Sequence, residues 1–302
     1  MLRLAVWIDP HNPVPVLPQD HGITGHSQHA VGGGERNAHT GELANRQCGL
    51  CFIGQINANL EGLRQGVAGR PWLVCIHGYR MGMPWLDMSL FSPAWLVDRL
   101  GVNLVQPVLP LHGPRRIGMR SGDHYLDGDP LDLFFAQAQA LSDLRQTLAW
   151  IRHQDPEARI GVYGISLGGY NAALLSNYAD DLDFVVAGIP VVDFTDALWR
   201  LLTPSHRRYF EAEGMDQAFY RSLLAPISPL HQPTRLAPDR RFLFAANCDR
   251  VVLPEHPLAL AAHWEVPVHW YQGSHLSVRR ERVTRETVEQ AMIAAGWPLP
   301  LL

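Results

Sequence analysis

The sequence is poor in the features that mark disulfide-rich and metal-binding proteins. Its 302 residues include only four cysteines, and only Cys48 and Cys51 have C-x-x-C spacing. A zinc site would need a second such pair nearby, and a redox role would need a thioredoxin-like strand–helix setting; the sequence offers neither. Cys75 and Cys248 fall in predicted buried strands, where cysteine behaves as a small hydrophobic residue.

Long apolar runs and basic blocks are also missing. No apolar stretch approaches the ~20 residues of a membrane span, and the run at 2–8 is cut short by Asp9-Pro10, unlike a secretory signal. The net charge is −4 and the arginines are spread along the chain, which gives no reason to expect a nucleic-acid partner. With 47% hydrophobic and 18% charged residues, we predict a globular cytoplasmic protein without a membrane span. The oligomeric state is left open.

The first part of the chain differs from the rest. Residues 1–69 are rich in Gly, His, Pro and Asn and have no sustained helical or strand period. We interpret them as an irregular arm, partly disordered over 1–46, with an edge hairpin or short strand within 47–69. A metal site near His26 and His29 is an alternative, but histidines in an irregular loop are more often solvated.

From Arg70 onward, apolar runs of strand length alternate with segments of helical period. Strands are predicted over 71–77, 102–108, 160–163, 184–192, 241–247 and 266–271, and helices over 91–100, 131–153, 255–263 and 279–295. Continuously apolar strands that alternate with helices predict a parallel sheet covered by helices on both faces. Short helical pieces at 194–238 interrupt the alternation, and their aromatic and leucine residues form either an acyl pocket or the core of that segment.

A serine stands at the tightest turn of this pattern. The predicted strand at 160–163 leads into Gly164-Ile165-Ser166-Leu167-Gly168-Gly169 and then into a run of helix formers. Glycines at this turn remove the Cβ atoms that would clash where a strand reverses into a helix. The turn exposes the Ser166 hydroxyl beside the positive end of the helix, where the Leu167 N–H can stabilise an oxyanion. Taken alone, the pattern also fits a plain Gly-Ser turn.

A carboxylate and an imidazole follow two later strands. Asp249 comes after the strand at 241–247, and His275 comes after the strand at 266–271. The carboxyl ends of parallel strands share one edge of the sheet, so these side chains are expected near Ser166. We predict Ser166 as nucleophile, His275 as base and Asp249 as the group that orients the base.

Other residues compete for the roles of acid and base. The rival acids are Asp193 and Asp196, and the rival bases are His77, His256, His263 and His269. Both acids follow the strand at 184–192. His263 and His269 fall within a predicted helix and a predicted strand. His256 stands at a helix start, and His77 precedes Gly78. Asp249 is favoured because Asp249-x-Val-Val leads into Pro254 and a helix, and His275 is favoured because it stands in the loop after a strand.

Four motifs occur together and in order: HGYRMG at 77–82, GISLGG at 164–169, CDRVV at 248–252 and GSH at 273–275. From about residue 70 to 302 the chain resembles the α/β-hydrolase superfamily, of the serine esterase or lipase type. The resemblance implies a mostly parallel sheet with helices on both faces and a small helical cap at about 194–238. It also places a second oxyanion donor at the Tyr79 N–H.

The loop at 109–129 is expected to overhang this site. Arg115 or Arg116 would bind an anionic part of the substrate, or the loop is simply solvated and held by local ion pairs. Apolar residues around Trp85 favour a lipophilic small-molecule acyl or ester substrate. We predict a serine hydrolase that cleaves a carboxylic ester or thioester through an acyl-serine intermediate, without a metal or cofactor. A serine peptidase, an acyltransferase and a non-catalytic binding protein on the same fold are the alternatives.

Overall fold

The computed structural model describes residues 7–9, 12–16, 67, 69–126 and 130–298. Most of the predicted N-terminal arm, including the strand or hairpin expected within 47–69, lies outside these residues. Strands β1 (Trp7–Asp9) and β2 (Asn12–Val16) pair antiparallel. This regular pairing falls in a stretch where the sequence predicts none, because such short strands carry too little periodicity to detect.

A six-stranded parallel sheet forms the centre of the molecule. Its strands are β3 (Trp72–Ile76), β4 (Asn103–Val105), β5 (Ile160–Ile165), β6 (Phe184–Gly188), β7 (Arg241–Ala246) and β8 (His269–Tyr271). They are arranged in the order β4-β3-β5-β6-β7-β8, and each neighbouring pair is parallel. Every residue of β3, β5 and β6 is buried, as expected for strands covered on both faces. The predicted fold class is confirmed.

Helices connect the strands. They are α1 (Pro84–Leu90), α2 (Pro130–Gln154), α3 (Leu167–Ser176), α4 (Phe194–Leu201), α5 (Pro204–Ala212), α6 (Gln217–Leu224), α7 (Glu255–Trp264) and α8 (Arg282–Ala294). The helix predicted over 91–100 is instead a π-helical turn at Ala94–Arg99, preceded by α1. Pro84 stands in the first turn of α1, where its missing N–H costs nothing.

The hydrophobic core has two layers, one on each face of the sheet. Along β3, Trp72 and Val74 pack into one layer, whereas Leu73 and Cys75 pack into the other. This alternation follows from the two-residue repeat of a strand. The prediction that Cys248 is also buried is wrong, because β7 ends at Ala246 and Cys248 is exposed beyond it.

Helices α4, α5 and α6 form a cap between β6 and β7. Each begins at a side-chain cap, provided by Asp193, Thr203 and Asp216. The ring of Trp199 lies 5.8 Å from that of Tyr220 and 6.3 Å from that of Phe210. These aromatic residues therefore pack on one another and form the core of the cap. None of the described helices is long and apolar enough to cross a membrane.

Candidate active site

Ser166 occupies the sharp turn between strand β5 and helix α3. Its φ of 57° and ψ of −112° are unusual for a residue with a side chain, and they mark a strained elbow. A Cβ atom on Gly164 would overlap the carbonyl oxygen of Gly168, and one on Gly168 would overlap that of Ile76. Only glycine fits at these two positions, so the elbow depends directly on the sequence pattern.

The structure brings Ser166, His275 and Asp249 into one chain of hydrogen bonds. His275 Nε2 lies 3.0 Å from Ser166 Oγ, and His275 Nδ1 lies 2.7 Å from Asp249 Oδ2. Because a carboxylate accepts hydrogen bonds, His275 Nδ1 carries the proton and Nε2 presents its lone pair to the serine hydroxyl. This arrangement suits proton abstraction from Ser166.

The carboxylate of Asp249 is fixed from its other side. Its Oδ1 accepts hydrogen bonds from the backbone N–H groups of Val251 at 2.8 Å and Val252 at 2.9 Å. The side chain is buried, so its orientation toward His275 does not depend on solvent. The turn Asp249-x-Val-Val, three residues beyond the end of β7, thus holds the acid in place.

The two predicted oxyanion donors are the N–H groups of Leu167, directly after Ser166, and of Tyr79, and their role stays a prediction. Leu167 is the first residue of α3, and its N–H has no partner within the helix. Tyr79 lies in the loop after β3. His77 orders that loop: its Nδ1 donates to the Gly78 carbonyl at 2.8 Å, and its Nε2 accepts from the Leu109 N–H at 3.0 Å. Burial lowers the pKa of His77 to about 3, so this ring stays neutral.

A buried carboxyl group, that of Asp87, anchors the far end of the same loop. Asp87 stands in the first turn of α1, and its Oδ1 accepts a hydrogen bond from the backbone N–H of Gly82 at 3.0 Å. Burial raises the pKa of Asp87 to about 7, while hydrogen bonds from the backbone of Gly82 and Met83 oppose that rise. The sequence analysis missed Asp87; the signal was an acid in the first turn after Pro84.

The loop after β4 is joined by side chains to residues 77–83, the loop that carries Tyr79 and that we call the oxyanion loop. Ser121 Oγ accepts from the Gly113 N–H at 2.8 Å and donates to the carbonyl of Met81. Arg80 and Asp123 form an ion pair between the two loops. The described part of the 109–129 loop is therefore held against the site.

The two arginines predicted to bind substrate differ in their surroundings. Arg115 is buried, pairs with Asp143 at 2.6 Å and donates to the carbonyl of Val108 at 2.6 Å. Because its side chain is buried, Arg115 offers little surface to a substrate. Arg116 is exposed and donates to the carbonyl of Gly113 at 3.1 Å. Substrate binding by either residue stays a prediction.

The rival acids and one rival base are engaged elsewhere. Asp193 caps α4 and pairs with Arg221 at 3.0 Å. Asp196 pairs with Arg200 at 2.8 Å and lies 3.6 Å from His256 Nε2. These contacts connect the cap to α7 and do not include Ser166.

A cavity of about 230 Å³ lies under the cap. Its walls include Tyr170, Val192, Phe194, Arg221 and Leu224. Tyr170 is one turn of α3 beyond the serine, and Val192 follows β6. The cavity lies beside the elbow, and its lining does not include Ser166 or His275.

One protein family matches the segment of the chain that contains the candidate site. Residues 139–279 match the prolyl oligopeptidase family, and this segment contains Ser166, Asp249 and His275. Two uncharacterized proteins of Mycobacterium tuberculosis, MT2702 and Rv2627c, are each 38% identical over 234 residues. The match covers 75% of this chain and 55% of each relative. The chain thus spans about half the length of the curated relatives it matches.

Solved structures share the fold at low sequence identity. Acetyl xylan esterase 1 from Thermoanaerobacterium is 18% identical, with a TM-score of 0.52 and 76% of each chain covered. Acylaminoacyl peptidase from Pyrococcus horikoshii is 15% identical, with a TM-score of 0.50, covering 76% of this chain and 37% of that one. Mouse alpha/beta hydrolase domain-containing protein 10 is 16% identical, with a TM-score of 0.50 and coverage of 76% and 89%. With its parallel sheet and serine elbow, the chain has the α/β-hydrolase fold that these structures share, and its segment 139–279 matches the prolyl oligopeptidase family.

Proposed function

We propose that the protein is a serine hydrolase that cleaves a carboxylic ester or thioester through an acyl-Ser166 intermediate. The observation that carries this proposal is the hydrogen-bonded chain from Ser166 through His275 to Asp249. A serine hydroxyl is a weak nucleophile, and a base within hydrogen-bond reach is what activates it. No metal or organic cofactor is part of the proposal.

The reaction follows from this geometry. His275 Nε2 takes the Ser166 proton as Oγ attacks the substrate carbonyl, and Asp249 stabilises the resulting imidazolium. The oxyanion accepts hydrogen bonds from the N–H groups of Leu167 and Tyr79, each supplying about 3–4 kcal/mol of transition-state stabilisation. His275 then protonates the departing alcohol or thiol. Water repeats the same steps on the acyl-enzyme, which releases the acid and restores Ser166.

The substrate we propose is a small, lipophilic acyl or ester compound. The apolar side chain of Trp85, 71% exposed beside the oxyanion loop, supports this assignment. One of the structures with this fold is an acetyl xylan esterase, which acts on an ester. Arg116 would contact an anionic part of the substrate, since it is the exposed member of the arginine pair.

A serine peptidase is the second candidate. The match to the prolyl oligopeptidase family and the shared fold with an acylaminoacyl peptidase favour it. Both activities use the same acyl-serine chemistry and differ in the leaving group, an alcohol or an amine. Paired substrates with the same acyl group therefore distinguish the two candidates.

Labelling with a fluorophosphonate probe tests the nucleophile. We expect the wild type to be labelled, Ser166→Ala to be unlabelled, and the matched control Ser222→Ala, an exposed cap serine, to behave as the wild type. Turnover of p-nitrophenyl esters of increasing chain length, compared with p-nitroanilides of the same acyl groups, separates esterase from peptidase. Absence of labelling in folded wild type would refute the proposal in favour of a non-catalytic binding protein.

A further inference from the structure

A second, smaller cavity lies on the face of the sheet away from the cap. Its volume is about 30 Å³, which holds roughly one or two water molecules or the inner oxygens of a larger anion. Three segments form its walls: the end of α1 with the π-helical turn after it, strand β5, and the connection that leads from His275 into α8. None of the described residues that line this cavity is acidic.

The hydroxyl group of Tyr163 opens into this cavity without a partner. Tyr163 on β5 is only 3% exposed, and its ring is held edge-on against that of Phe91 at 5.2 Å. The hydroxyl has no hydrogen-bond partner among the described residues, yet it is not sealed off as the Tyr125 hydroxyl is. Burial raises the pKa of Tyr163, and the nearby positive charge of Arg285 opposes that rise. The group therefore stays protonated, and a buried donor of this kind normally has an acceptor.

Two arginines line the same cavity. Arg285 stands in the first turn of α8, and its guanidinium carbon lies 5.4 Å from the centre of the Trp95 ring, a contact that orients the planar group. Arg279 is exposed in the 3₁₀ turn Val278–Arg280. Neither arginine forms an ion pair within the part of the chain that the structure describes. Both side chains are therefore available to an anionic ligand.

Helix α8 adds backbone donors to these side chains. It begins without a side-chain cap, so the N–H groups of its first turn have no partner in the helix and carry the positive end of its dipole. Thr284 from this turn lines the cavity. The neighbouring acids Asp98, Glu281 and Glu289 do not line it, and Glu289 instead accepts a hydrogen bond from Trp95 Nε1 at 3.4 Å. The cavity thus offers donors and positive charge, which together favour an anion.

We propose that this cavity binds the phosphate group of a small ligand, with the Tyr163 hydroxyl as the inner donor and Arg279 and Arg285 at the mouth. Donors that approach from separate segments suit a tetrahedral group better than a planar carboxylate. Two arginines also match the charge of a phosphate, about −1.5 to −2 at pH 7. Inorganic phosphate and a phosphate monoester share this chemistry. The site lies apart from the Ser166 hydroxyl and does not rest on the proposed catalysis.

Isothermal titration calorimetry of the full chain with inorganic phosphate tests the proposal. We expect saturable binding at one site that weakens as salt is added, with a matching rise in Tm. Tyr163→Phe removes one oxygen from a ring held by its neighbours, and it should weaken binding about tenfold or more. The double variant Arg279→Gln with Arg285→Gln should weaken binding at least as much.

The control variants carry the same chemical changes elsewhere on the surface. Tyr209→Phe alters an exposed tyrosine on α5. Arg145→Gln with Arg208→Gln removes the charge of two exposed arginines, on α2 and α5. Both controls should bind phosphate as the wild type does. Equal losses in the cavity variants and their controls would overturn the proposal, because general electrostatic attraction would then explain the binding.

Further titrations identify the ligand and separate this proposal from the catalytic one. Tighter binding of glycerol 1-phosphate would identify a monoester, and tighter binding of inorganic phosphate would identify the free ion; both results support the site. Absence of saturable binding of either compound, or acetate binding as tightly as phosphate, would overturn it. Ser166→Ala should bind phosphate as the wild type does while losing hydrolysis, so each proposal can fail alone.

Discussion

The buried carboxyl group of Asp87 gives a quantitative test of how the oxyanion loop is held. Burial raises its pKa from 3.8 to about 7. Between these values the folded protein holds a proton that the unfolded chain has released. The contribution of Asp87 to the free energy of unfolding is therefore highest below pH ~4 and falls as the pH rises to ~7, by about 4 kcal/mol in all. About 3 kcal/mol of this loss falls between pH 5 and pH 8.

Replacing Asp87 by Asn removes the titration and keeps an oxygen that can accept the Gly82 N–H. We expect Asp87→Asn to lose less stability than the wild type between pH 5 and pH 8, as measured by urea denaturation at both values. Asp98→Asn, which changes an exposed acid on the next helical turn, is the control and should keep the wild-type pH dependence. An unchanged slope in Asp87→Asn would show that the carboxyl is already ionised in the folded protein, and the burial argument would fail.

The alanine variant at the same position tests the link to the oxyanion site. Asp87→Ala leaves the buried Gly82 N–H without its acceptor, which costs about 1–3 kcal/mol. The loop that carries Tyr79 would then loosen, and kcat for a p-nitrophenyl ester should fall more than KM rises. Asp87→Asn should retain kcat. Equal kcat values in the two variants would mean that this hydrogen bond does not position the loop.

Three further predictions concern the elbow, the acid and the buried ion pair. Asp249→Asn should lower kcat by about 10⁴-fold because the imidazole loses its orienting partner; retained ester turnover would point to another acid. Gly168→Ala should lower the unfolding free energy by about 1–3 kcal/mol in urea, since its Cβ overlaps the Ile76 carbonyl; unchanged stability would disprove that overlap. Arg115→Ala should lower the free energy of unfolding by about 3–5 kcal/mol, because it leaves Asp143 buried without its partner. The double variant Arg115→Ala with Asp143→Ala should lose less than the sum of the losses in the two single variants. Additive losses in urea denaturation would contradict this coupling.

Much of the architecture was predictable because its causes are local. The strands are continuous apolar runs, and glycines mark the turn at Ser166. The proximity of Ser166, Asp249 and His275 was predicted from one rule, that parallel strands share a carboxyl edge. Their hydrogen-bonding geometry agrees with this placement.

The remaining features depend on contacts between distant segments. Asp143 on α2 pairs with Arg115, which lies 28 positions earlier in the chain. No local sequence pattern predicts a pair between segments so far apart. Asp87 is a buried carboxyl group, contrary to the usual exposure of aspartate. Strand β6 ends at Gly188 although the apolar run continues to 192, because Ile189 has a positive φ of 40° and Pro190 has no N–H to donate.

The cap has a consequence for how such an enzyme can diversify. It leaves the sheet after β6 and returns at β7, and these strands are paired directly, with Val185 opposite Arg241. The two ends of the cap segment are thus fixed by backbone hydrogen bonds, whatever lies between them. Helices in this interval can be lengthened, shortened or exchanged while the strands that precede Ser166 and Asp249 keep their register. Selection on substrate preference can therefore act on one continuous stretch of the gene and leave the chemistry intact.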